Sequence, residues 1–302
     1  MNIIEVTIIT VNYNGLSDTC ELLKTLPLED PTLEVIVVDN ASRTDEAAEI
    51  RKRFPRVKTL RSEKNLGFAG GNNLGIRVAR GRYLFFINND TLCYRGPAKP
   101  EGSAQLLLEP LIRRLESSDN IGMVCPKIRF AWDDAPIQFA GYTPLSAFTL
   151  RNRSIGFGEA DHGQYDTPHP TPYAHGAAMM VKREAVDRAG MMPEAFFLYY
   201  EELDWSLMIR RAGYEIWYEP ASTIFHKESM STGKNSPLRT YYITRNRLRF
   251  VQRNVQYPQK LLNYLYLIGI VGTKDVAKHL LHGDVALAKA VVRGVIQFFK
   301  QQ

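Results

Sequence analysis

The sequence has few of the features that mark secreted, disulfide-bonded or membrane-spanning proteins. Its 302 residues include three widely spaced cysteines and no C-x-x-C pair, which excludes a disulfide framework and a cysteine-rich zinc site. The apolar, uncharged run 261–273 is thirteen residues long, whereas a helix needs about 20 residues to span a bilayer. The first apolar stretch contains Glu5 and follows no basic residue, so we expect a strand there rather than a signal peptide. These absences predict a cytoplasmic protein.

Composition places the chain among ordinary globular proteins. Hydrophobic residues make up 45% and charged residues 23%, which excludes disordered, collagenous and coiled-coil classes. The net charge of +6 is unevenly distributed, because residues 238–302 contain eleven Lys or Arg and only two acids. We therefore expect a main domain at 1–237 and a basic, helical region at 238–302.

Strands alternate with helices over the first 90 residues. Apolar, β-branched runs predict strands at 6–11, 33–38, 57–60 and 83–87, with helices at about 17–26, 44–53 and 71–80. This alternation is typical of βαβ units and of a parallel sheet covered by helices. Ligands bind beyond the carboxyl ends of such strands, so the polar clusters at 12–15, 39–42 and 88–90 are expected to form one site.

The remaining sequence is less regular. It predicts a helix at about 103–117, strands at 123–130 and 137–141, a strand at 177–181, a helix at 202–212, strands at 215–217 and 223–225, and helices beyond 237. The segment 142–172 contains four prolines and has no periodicity, which indicates a long surface loop that shapes a substrate site.

Asp39 ends the second predicted strand and is followed by Asn40 and Ser42. A helix N-cap would explain the Asn and Ser, but it explains the Asp poorly. A carboxylate at this position can accept the imide N–H of a pyrimidine base, with complementary groups from the backbone of 10–12.

The run 65–73 is rich in glycine and asparagine. It does not match the G-x-x-x-x-G-K-[ST] phosphate loop, and the first strand is followed by Asn12-Tyr13-Asn14-Gly15 rather than by a dinucleotide fingerprint. These differences argue against an ATPase or a nicotinamide-dependent oxidoreductase. Two interpretations remain: a tight turn into a helix, or a place where a nucleotide base lies close to the backbone.

Two groups of side chains are candidates for metal binding and acid–base chemistry. Asp90 and His226 each follow a predicted strand, and a hard cation on a diphosphate needs few further protein oxygens. Each is also a common residue type in a turn or core without any ligand. The run 199–205 contains Glu201, Glu202 and Asp204 among aromatic residues. Acids in a first helical turn suit the helix dipole, yet buried neighbouring carboxylates raise each other's pKa and make one a candidate general base.

Together, six motifs in the order found here resemble the family 2 inverting glycosyltransferases of GT-A fold, especially their rhamnosyltransferase-like branch. The motifs lie at 10–15, 37–42, 65–73, 88–90, 175–177 and 200–205, and the resemblance extends from about residue 5 to 250. It implies a Rossmann-like α/β fold with a mixed, mostly parallel sheet flanked by helices. It also implies a nucleotide-binding half at 1–95, an acceptor and catalytic half at 96–237, and a C-terminal helical extension.

The resemblance also implies roles for particular residues. Asp39 corresponds to the base-binding residue, Asp90 to the last Asp of the family's D-x-D motif, in which Asn88 replaces the first, and His226 to a further metal ligand. Glu202 takes the position of the catalytic base in a pair that reads Glu201-Glu202, with Asp204 in the same cluster. The other implied nucleotide-sugar contacts are Thr10, Val11, Asn12, Tyr13, Asn40, Ser42, Asn65, Gly67, Gly70, Asn73, Asn88 and Asn89, and the implied acceptor or sugar pocket comprises His175, Gly176 and Trp205.

The implied reaction is a single displacement in which Glu202 deprotonates an acceptor hydroxyl that attacks the anomeric carbon of a UDP- or dTDP-sugar. The implied cofactor is Mn²⁺ or Mg²⁺, and the implied acceptor is a saccharide or a lipid-linked molecule of cell wall or O-antigen polysaccharide synthesis. A non-catalytic nucleotide-sugar-binding or membrane-scaffold protein is the alternative, although it would not need the acids at 201 and 202.

The basic C-terminal helices allow two interpretations. They either dock the enzyme on the inner face of a membrane or pack on the catalytic domain with their arginines in solvent. Arg245 or Arg247 could also contact the donor phosphates. Nucleic acid is not an expected partner, because the basic residues alternate with apolar ones rather than with groove-reading side chains.

Overall fold

The computed structural model describes residues 4–95, 103–132, 134–228 and 236–301, with side chains from 106 onward in the second segment. Within these ranges ten strands form one mixed sheet in the order β3-β2-β1-β4-β9-β6-β10-β5, with β7 beside β6 and β8 beside β10. The strands are β1 Val6–Asn12, β2 Leu33–Asp39, β3 Lys58–Arg61, β4 Tyr83–Ile87, β5 Thr91–Leu92, β6 Ile121–Phe130, β7 Ile137–Phe139, β8 His169–Pro170, β9 Ala178–Lys182 and β10 Glu215–His226.

Helices cover the sheet and continue to the C-terminus. They are α1 Leu16–Thr25, α2 Glu46–Arg53, α3 Gly67–Val78, α4 Ser103–Glu116, α5 Arg183–Ala189, α6 Glu201–Arg211, α7 Pro237–Asn254, α8 Gln259–Tyr264, α9 Thr273–Leu281 and α10 Val285–Lys300. A 3₁₀ turn at Glu194–Phe196 precedes α6, and a π-helical segment, Leu265–Gly272, joins α8 to α9.

The predicted parallel half of the sheet is confirmed. Strand β1 pairs in parallel with β2 and β4, and β2 pairs in parallel with β3. The apolar run of β2 is buried on both faces, as expected for a strand between two helical layers. The register places Asn12 opposite Asp39, so the polar residues that end β1 and β2 lie side by side.

The second half of the sheet is mixed, which confirms the predicted fold class. Strand β9 is antiparallel to β4 and β6, and β6 is parallel to β10. The strands predicted at 215–217 and 223–225 are one strand, β10, with a register shift between Glu219 and Thr223. This irregularity contains Pro220, which has no N–H for the ladder. The short helix α5 was not predicted.

The C-terminal helices pack on the remainder of the chain. Leu248 and Val251 of α7 are buried together with Leu267, Phe298 and Leu150. These contacts confirm that α7 packs on the remainder of the chain, but Arg245 of this helix is buried rather than in solvent. Among the described residues, none of the helices combines the length and the apolar character that crossing a bilayer requires.

Candidate active site

Asp39 lies fully buried at the carboxyl end of β2. Its Oδ1 accepts a hydrogen bond from the backbone N–H of Ser42 at 3.0 Å, and Arg61 Nη1 lies 3.5 Å from its Oδ2. Neither Asp39 Oδ2 nor the buried Thr10 Oγ1 forms a hydrogen bond with any described residue. Buried polar atoms in that condition are uncommon. The edge of β1 and β2 therefore contains a buried acceptor and a buried hydroxyl without protein partners among the described residues, and contact with a nucleotide base stays a prediction.

Asn12 ties the end of β1 to its neighbours. Its Nδ2 donates to Glu46 Oε2 at 2.7 Å, and its Oδ1 accepts from Thr19 Oγ1 at 2.7 Å. Thr19 Oγ1 also accepts from Asn89 Nδ2 at 3.1 Å, so the polar ends of β1 and β4 are linked through one hydroxyl. These contacts bring together the clusters that the sequence predicted to converge.

Asn40 links the end of β2 to the glycine-rich segment 65–73. Its Nδ2 donates to the carbonyl of Gly67 at 2.9 Å, and its Oδ1 accepts from the N–H of Leu66 at 2.9 Å. Asn65 Oδ1 accepts from Gly67 N at 2.8 Å, and Ser42 Oγ accepts from the N–H of Asn14 at 2.8 Å. The neighbouring Tyr13 is 48% exposed, and Val11 is half-buried.

The glycines of this segment are explained by packing. Gly67 has φ +72°, and a Cβ added there would lie 2.1 Å from the carbonyl oxygen of Phe197. A Cβ on Gly70 would lie 2.6 Å from Leu66 Cβ, and one on Gly71 would lie 2.8 Å from Val11. Since protein atoms fill these spaces, packing accounts for the glycines, and the approach of a base at Gly67 and Gly70 stays a prediction.

Asn73 also faces protein. Its Nδ2 donates to the carbonyl of Met192 at 2.9 Å and to Glu194 Oε1 at 2.8 Å. These hydrogen bonds join helix α3 to the turn that leads into α6, and a nucleotide contact of Asn73 stays a prediction.

The antiparallel pairing of β5 with β10 brings Asp90 and His226 together. Asp90 Oδ1 lies 3.2 Å from His226 Nε2, and both side chains are about nine-tenths buried, with 10% and 9% exposed. His226 Nδ1 lies 2.8 Å from the amide oxygen of Gln138. That oxygen accepts a hydrogen bond from the protonated Nδ1, which leaves Nε2 facing the carboxylate. An imidazole oriented in this way beside a carboxylate fits a divalent cation.

These two residues are the protein ligands that the structure offers to such an ion. The described part of the chain contains no cluster of three or more His, Cys, Asp or Glu suited to a metal. Asn88 lies next to this pair in the chain, and its backbone N–H donates to Ala177 O at 2.9 Å. A diphosphate would have to complete the coordination, as it does where nucleotide phosphates share a Mg²⁺ ion with one or two carboxylates.

The carboxylate pair Glu201 and Glu202 begins helix α6, directly after a strained turn. Phe197, Tyr199 and Tyr200 have φ of 70°, 69° and 77°, values that residues other than glycine seldom adopt. Glu201 is 3% exposed, and its Oε2 forms no hydrogen bond with the described residues. Burial, and then the charge of Glu202, hold the pKa of Glu201 well above its ordinary value.

Glu202 is half-buried and lies against Gly176, where an added Cβ would be 3.7 Å from Glu202 Cγ. Burial also raises its pKa. Tyr142, which sequence reasoning missed, lies near it, since burial and then the Glu202 charge raise the pKa of that phenol. No motif surrounds Tyr142 in its irregular loop, so the sequence carries no signal for it.

His175 lies near His226 of the candidate metal pair, and the next residue, Gly176, lies against Glu202. Burial and the nearby His226 lower the pKa of His175 to about 3, and its Nδ1 accepts from the N–H of Ala177 at 3.1 Å. The ring is 6.5 Å from that of His226 and stacks on Tyr142 at 6.0 Å. The residue is therefore a neutral imidazole that connects the candidate metal ligands with the surroundings of Glu202.

Two predicted site residues belong to other parts of the structure. Asp204 is 1% exposed and pairs with Arg253, whose Nη2 lies 3.0 Å from Asp204 Oδ2. Trp205 is fully buried, donates to the carbonyl of Gly190 at 2.8 Å and packs edge-on against Phe86. The structure thus gives Asp204 an ion pair and Trp205 a place in the core, while their catalytic and pocket-lining roles stay predictions. Residues 201, 204 and 205 share the buried face of α6 through its 3.6-residue period, whereas 202 does not.

Comparison with known proteins agrees with this arrangement. The family model described as Glycosyl transferase family 2 matches residues 7–190 of the chain. The chain belongs to this family. Within the matched range lie the glycosyltransferase's Asp39, Asp90 and His175, whereas Glu201, Glu202 and His226 follow it.

Two relatives show how this glycosyltransferase is placed among known sequences. It is 28% identical over 246 residues to the low-salt glycan biosynthesis hexosyltransferase Agl10 of Haloferax volcanii, covering 80% of this chain and 74% of that protein. It is 25% identical over 228 residues to the N-acetylglucosaminyl-diphospho-decaprenol L-rhamnosyltransferase of Mycobacterium tuberculosis, covering 67% of this chain and 69% of that protein.

A solved structure shows the same fold. The mannosyltransferase from Pyrobaculum calidifontis, in complex with GDP-Man and Mn²⁺, aligns with a TM-score of 0.59 at 17% identity over 99% of this chain and 88% of that chain. At this identity the likeness concerns the fold alone, and it confirms the predicted GT-A fold.

Proposed function

We propose that this glycosyltransferase transfers rhamnose or another hexose from a UDP- or dTDP-sugar to a saccharide or lipid-linked acceptor, with inversion of the anomeric carbon. One observation carries the proposal: contacts across one sheet edge join three chemically different groups. These groups are the buried acceptor Asp39, the Asp90–His226 pair and the carboxylates Glu201 and Glu202. Thr19 contacts Asn12, which lies opposite Asp39 in the sheet, and Asn89, which precedes Asp90 in the chain. The His175 ring is 6.5 Å from that of His226, and Gly176 lies against Glu202.

In this proposal each residue has one task. Asp39 accepts a hydrogen bond from the base of the donor nucleotide, and the neutral His175 lines the space between donor and acceptor. Ionised Glu202 takes the proton from the acceptor hydroxyl as this oxygen attacks the anomeric carbon from the side opposite the nucleotide. Asp90 and His226 would hold the divalent cation, which when bound neutralises negative charge on the leaving diphosphate.

The names of the relatives support the acceptor class. The mycobacterial relative acts, by its name, on an N-acetylglucosaminyl diphosphate attached to a decaprenol lipid, and the haloarchaeal relative is a hexosyltransferase of glycan biosynthesis. We infer that this enzyme serves the synthesis of a cell-surface polysaccharide. The mannosyltransferase in complex with GDP-Man and Mn²⁺ supports a nucleotide sugar and a divalent cation, and its purine donor must be included in the tests.

Donor binding tests the first part of the proposal. UDP- and dTDP-sugars with Mn²⁺ are expected to stabilise the protein, by about 2.7 kcal/mol at 100 times Kd, while GDP-Man stabilises it little. Asp39→Asn should remove most of the pyrimidine-nucleotide effect in thermal unfolding. Asp45→Asn is the matched control, because Asp45 also pairs with Arg61, at 2.9 Å, but its side chain is 58% exposed.

Two results would contradict this part. Stabilisation by GDP-Man alone would overturn the pyrimidine assignment of Asp39. Absence of both sugar transfer and slow donor hydrolysis across the whole donor panel would overturn the transferase activity itself.

An exposed stripe on α10 supports membrane docking as part of this function. The helix contains no acidic residue, and four apolar side chains at three- to seven-residue spacing are 45% to 55% exposed: Val285, Val292, Ile296 and Phe299. The basic residues Lys289, Arg293 and Lys300 are exposed on the same helix. Apolar insertion combined with basic residues is typical of helices that lie on anionic membranes. We infer that α10 places the enzyme on the membrane surface that presents a lipid-linked acceptor.

Vesicle binding tests this inference. The double variant Ile296→Glu/Phe299→Glu is expected to lose co-sedimentation with vesicles rich in phosphatidylglycerol, and high salt should weaken binding of the unaltered protein, because each basic residue near such a surface contributes about 1 kcal/mol. Leu106→Glu is the control, since Leu106 is 61% exposed but lies on α4. If the double variant sediments like the unaltered protein, α10 is not the docking surface.

A further inference from the structure

The turn before the carboxylate pair is held in an unfavourable backbone conformation. Three of the four residues from 197 to 200 have positive φ, and all three are aromatic. Such a conformation persists only where surrounding contacts hold it. Tyr200 is the N-cap of α6, so the conformation of this turn sets where Glu201 and Glu202 begin the helix.

The contacts that hold the turn come largely from one side chain of α7. Asn246 is fully buried, and its Nδ2 lies within hydrogen-bond distance of three carbonyl oxygens, one just before the turn and two within it. The nitrogen lies 2.9 Å from Phe196 O, 2.7 Å from Leu198 O and 2.8 Å from Tyr199 O. An amide NH₂ has two hydrogens, so both are shared among acceptors of this one turn.

Neighbouring side chains of α7 orient the amide and complete the contact. Arg245 Nε donates to Asn246 Oδ1 at 2.9 Å, which directs the nitrogen of the amide toward the turn. Tyr242 stacks on Phe197 at 5.1 Å, and Arg247 Nε donates to the Tyr200 hydroxyl at 2.9 Å. Arg245 and Arg247, considered above as phosphate contacts, therefore face this turn.

We propose that Asn246 is a positioning residue for sugar transfer: its side-chain amide holds the turn 197–200 and thereby fixes Glu201 and Glu202 relative to the acceptor. The proposal rests on the proposed function, in which Glu202 takes the acceptor proton. It gives α7 a role in the reaction, although this helix follows the region that the family model matches.

The chain offers a matched control for the test. Asn263 of α8 is equally buried, and its Nδ2 also donates to two backbone carbonyls, Ala147 O at 3.0 Å and Phe148 O at 2.7 Å. Replacing either Asn with Asp exchanges a donor for a carboxylate that faces carbonyl oxygens, at nearly constant volume. Only Asn246→Asp disturbs the turn before α6.

We expect Asn246→Asp to lower kcat on the order of 10²-fold with donor KM nearly unchanged, because a small misplacement of a reacting group costs about that much. Asn263→Asp should lower the unfolding temperature without this loss of kcat. If Asn246→Asp does not fold, Asn246→Ser, which keeps one donor, is expected to retain KM and lose part of kcat. Equal kcat losses in the Asn246 and Asn263 variants, or a raised donor KM alone, would overturn the positioning role.

Hydrogen exchange separates failure of this proposal from failure of the proposed function. Amides of 197–204 should exchange faster in Asn246→Asp than in Asn263→Asp, whatever reaction the enzyme catalyses. Unchanged exchange there would overturn the role of Asn246. If the unaltered protein shows no transferase activity, but exchange at 197–204 is still faster in Asn246→Asp than in Asn263→Asp, the assigned reaction is wrong. The structural part of the inference then stands.

Discussion

Glu202→Gln is expected to retain donor binding and to lower kcat by about 10² to 10⁴-fold, the usual contribution of a general base. Glu202 lies on the side of α6 that faces Gly176 and Tyr142, and burial raises its pKa toward the range in which a carboxylate accepts a proton effectively. Glutamine has nearly the same shape but no basic oxygen. The measurements are single-turnover transfer and donor affinity for both proteins.

Glu201→Gln is the matched comparison, one residue away on the buried face. The pKa of Glu201 is raised well above its ordinary value of 4.5 by burial and then by the charge of Glu202, so the folded protein keeps this proton to higher pH than the unfolded chain does. Folding therefore binds a proton, and Glu201 lowers stability as pH rises from about 4.5 through its raised pKa. Glu201→Gln should be active, and its free energy of unfolding should fall less than that of the unaltered protein as pH rises. An inactive Glu201→Gln with an active Glu202→Gln would move the base by one residue.

The pH dependence of transfer follows from the raised pKa of Glu202. Only ionised Glu202 accepts a proton, so kcat should fall as pH is lowered through its raised pKa. Among the described residues, the charge of Glu202 acts on Glu201 of the same helix and on Tyr142 in the loop. The acidic limb should be absent from the residual activity of Glu202→Gln.

Asp90→Ala is expected to reduce transfer in Mn²⁺ by about 10² to 10³-fold, the size of effect seen when one group that stabilises developing charge is removed. The carboxylate is one of two side chains suited to a cation at the end of β4, and its loss leaves His226 alone there. Calorimetry should show donor affinity falling in the presence of Mn²⁺ and changing little in its absence.

Asp18→Ala provides a nearby control. Asp18 pairs at 2.7 Å with Lys227, the residue that follows His226 in the chain. Glu21 also pairs with Lys227, so the lysine keeps a partner when Asp18 is replaced. Its replacement should leave the Mn²⁺ dependence of donor binding intact. Full transfer activity in excess EDTA would contradict the metal role and leave Asp90 as a contact to the ribose or the sugar.

Much of the parallel half of the sheet was predictable because its signals are local. Apolar runs alternating with helical patterns specify β1 to β4, and parallel strands necessarily end at the same edge of a sheet. Asp39 and Asp90 could thus be assigned to one site from their positions after strands. The glycine segment was ambiguous, because a glycine needed for helix packing and one needed beside a ligand look the same in sequence.

The sequence by itself determined the family, the sheet-edge position of the polar clusters and the acidic start of α6. The tertiary structure alone decided which face of α6 is buried, and so separated Glu202 from Asp204 and Trp205. It also decided that the arginine-rich helix α7 packs against the turn before α6. The reason is physical: periodicity along a chain records which residues share a face, but the partner of that face depends on contacts between segments far apart in sequence, such as Asn246 and Phe196.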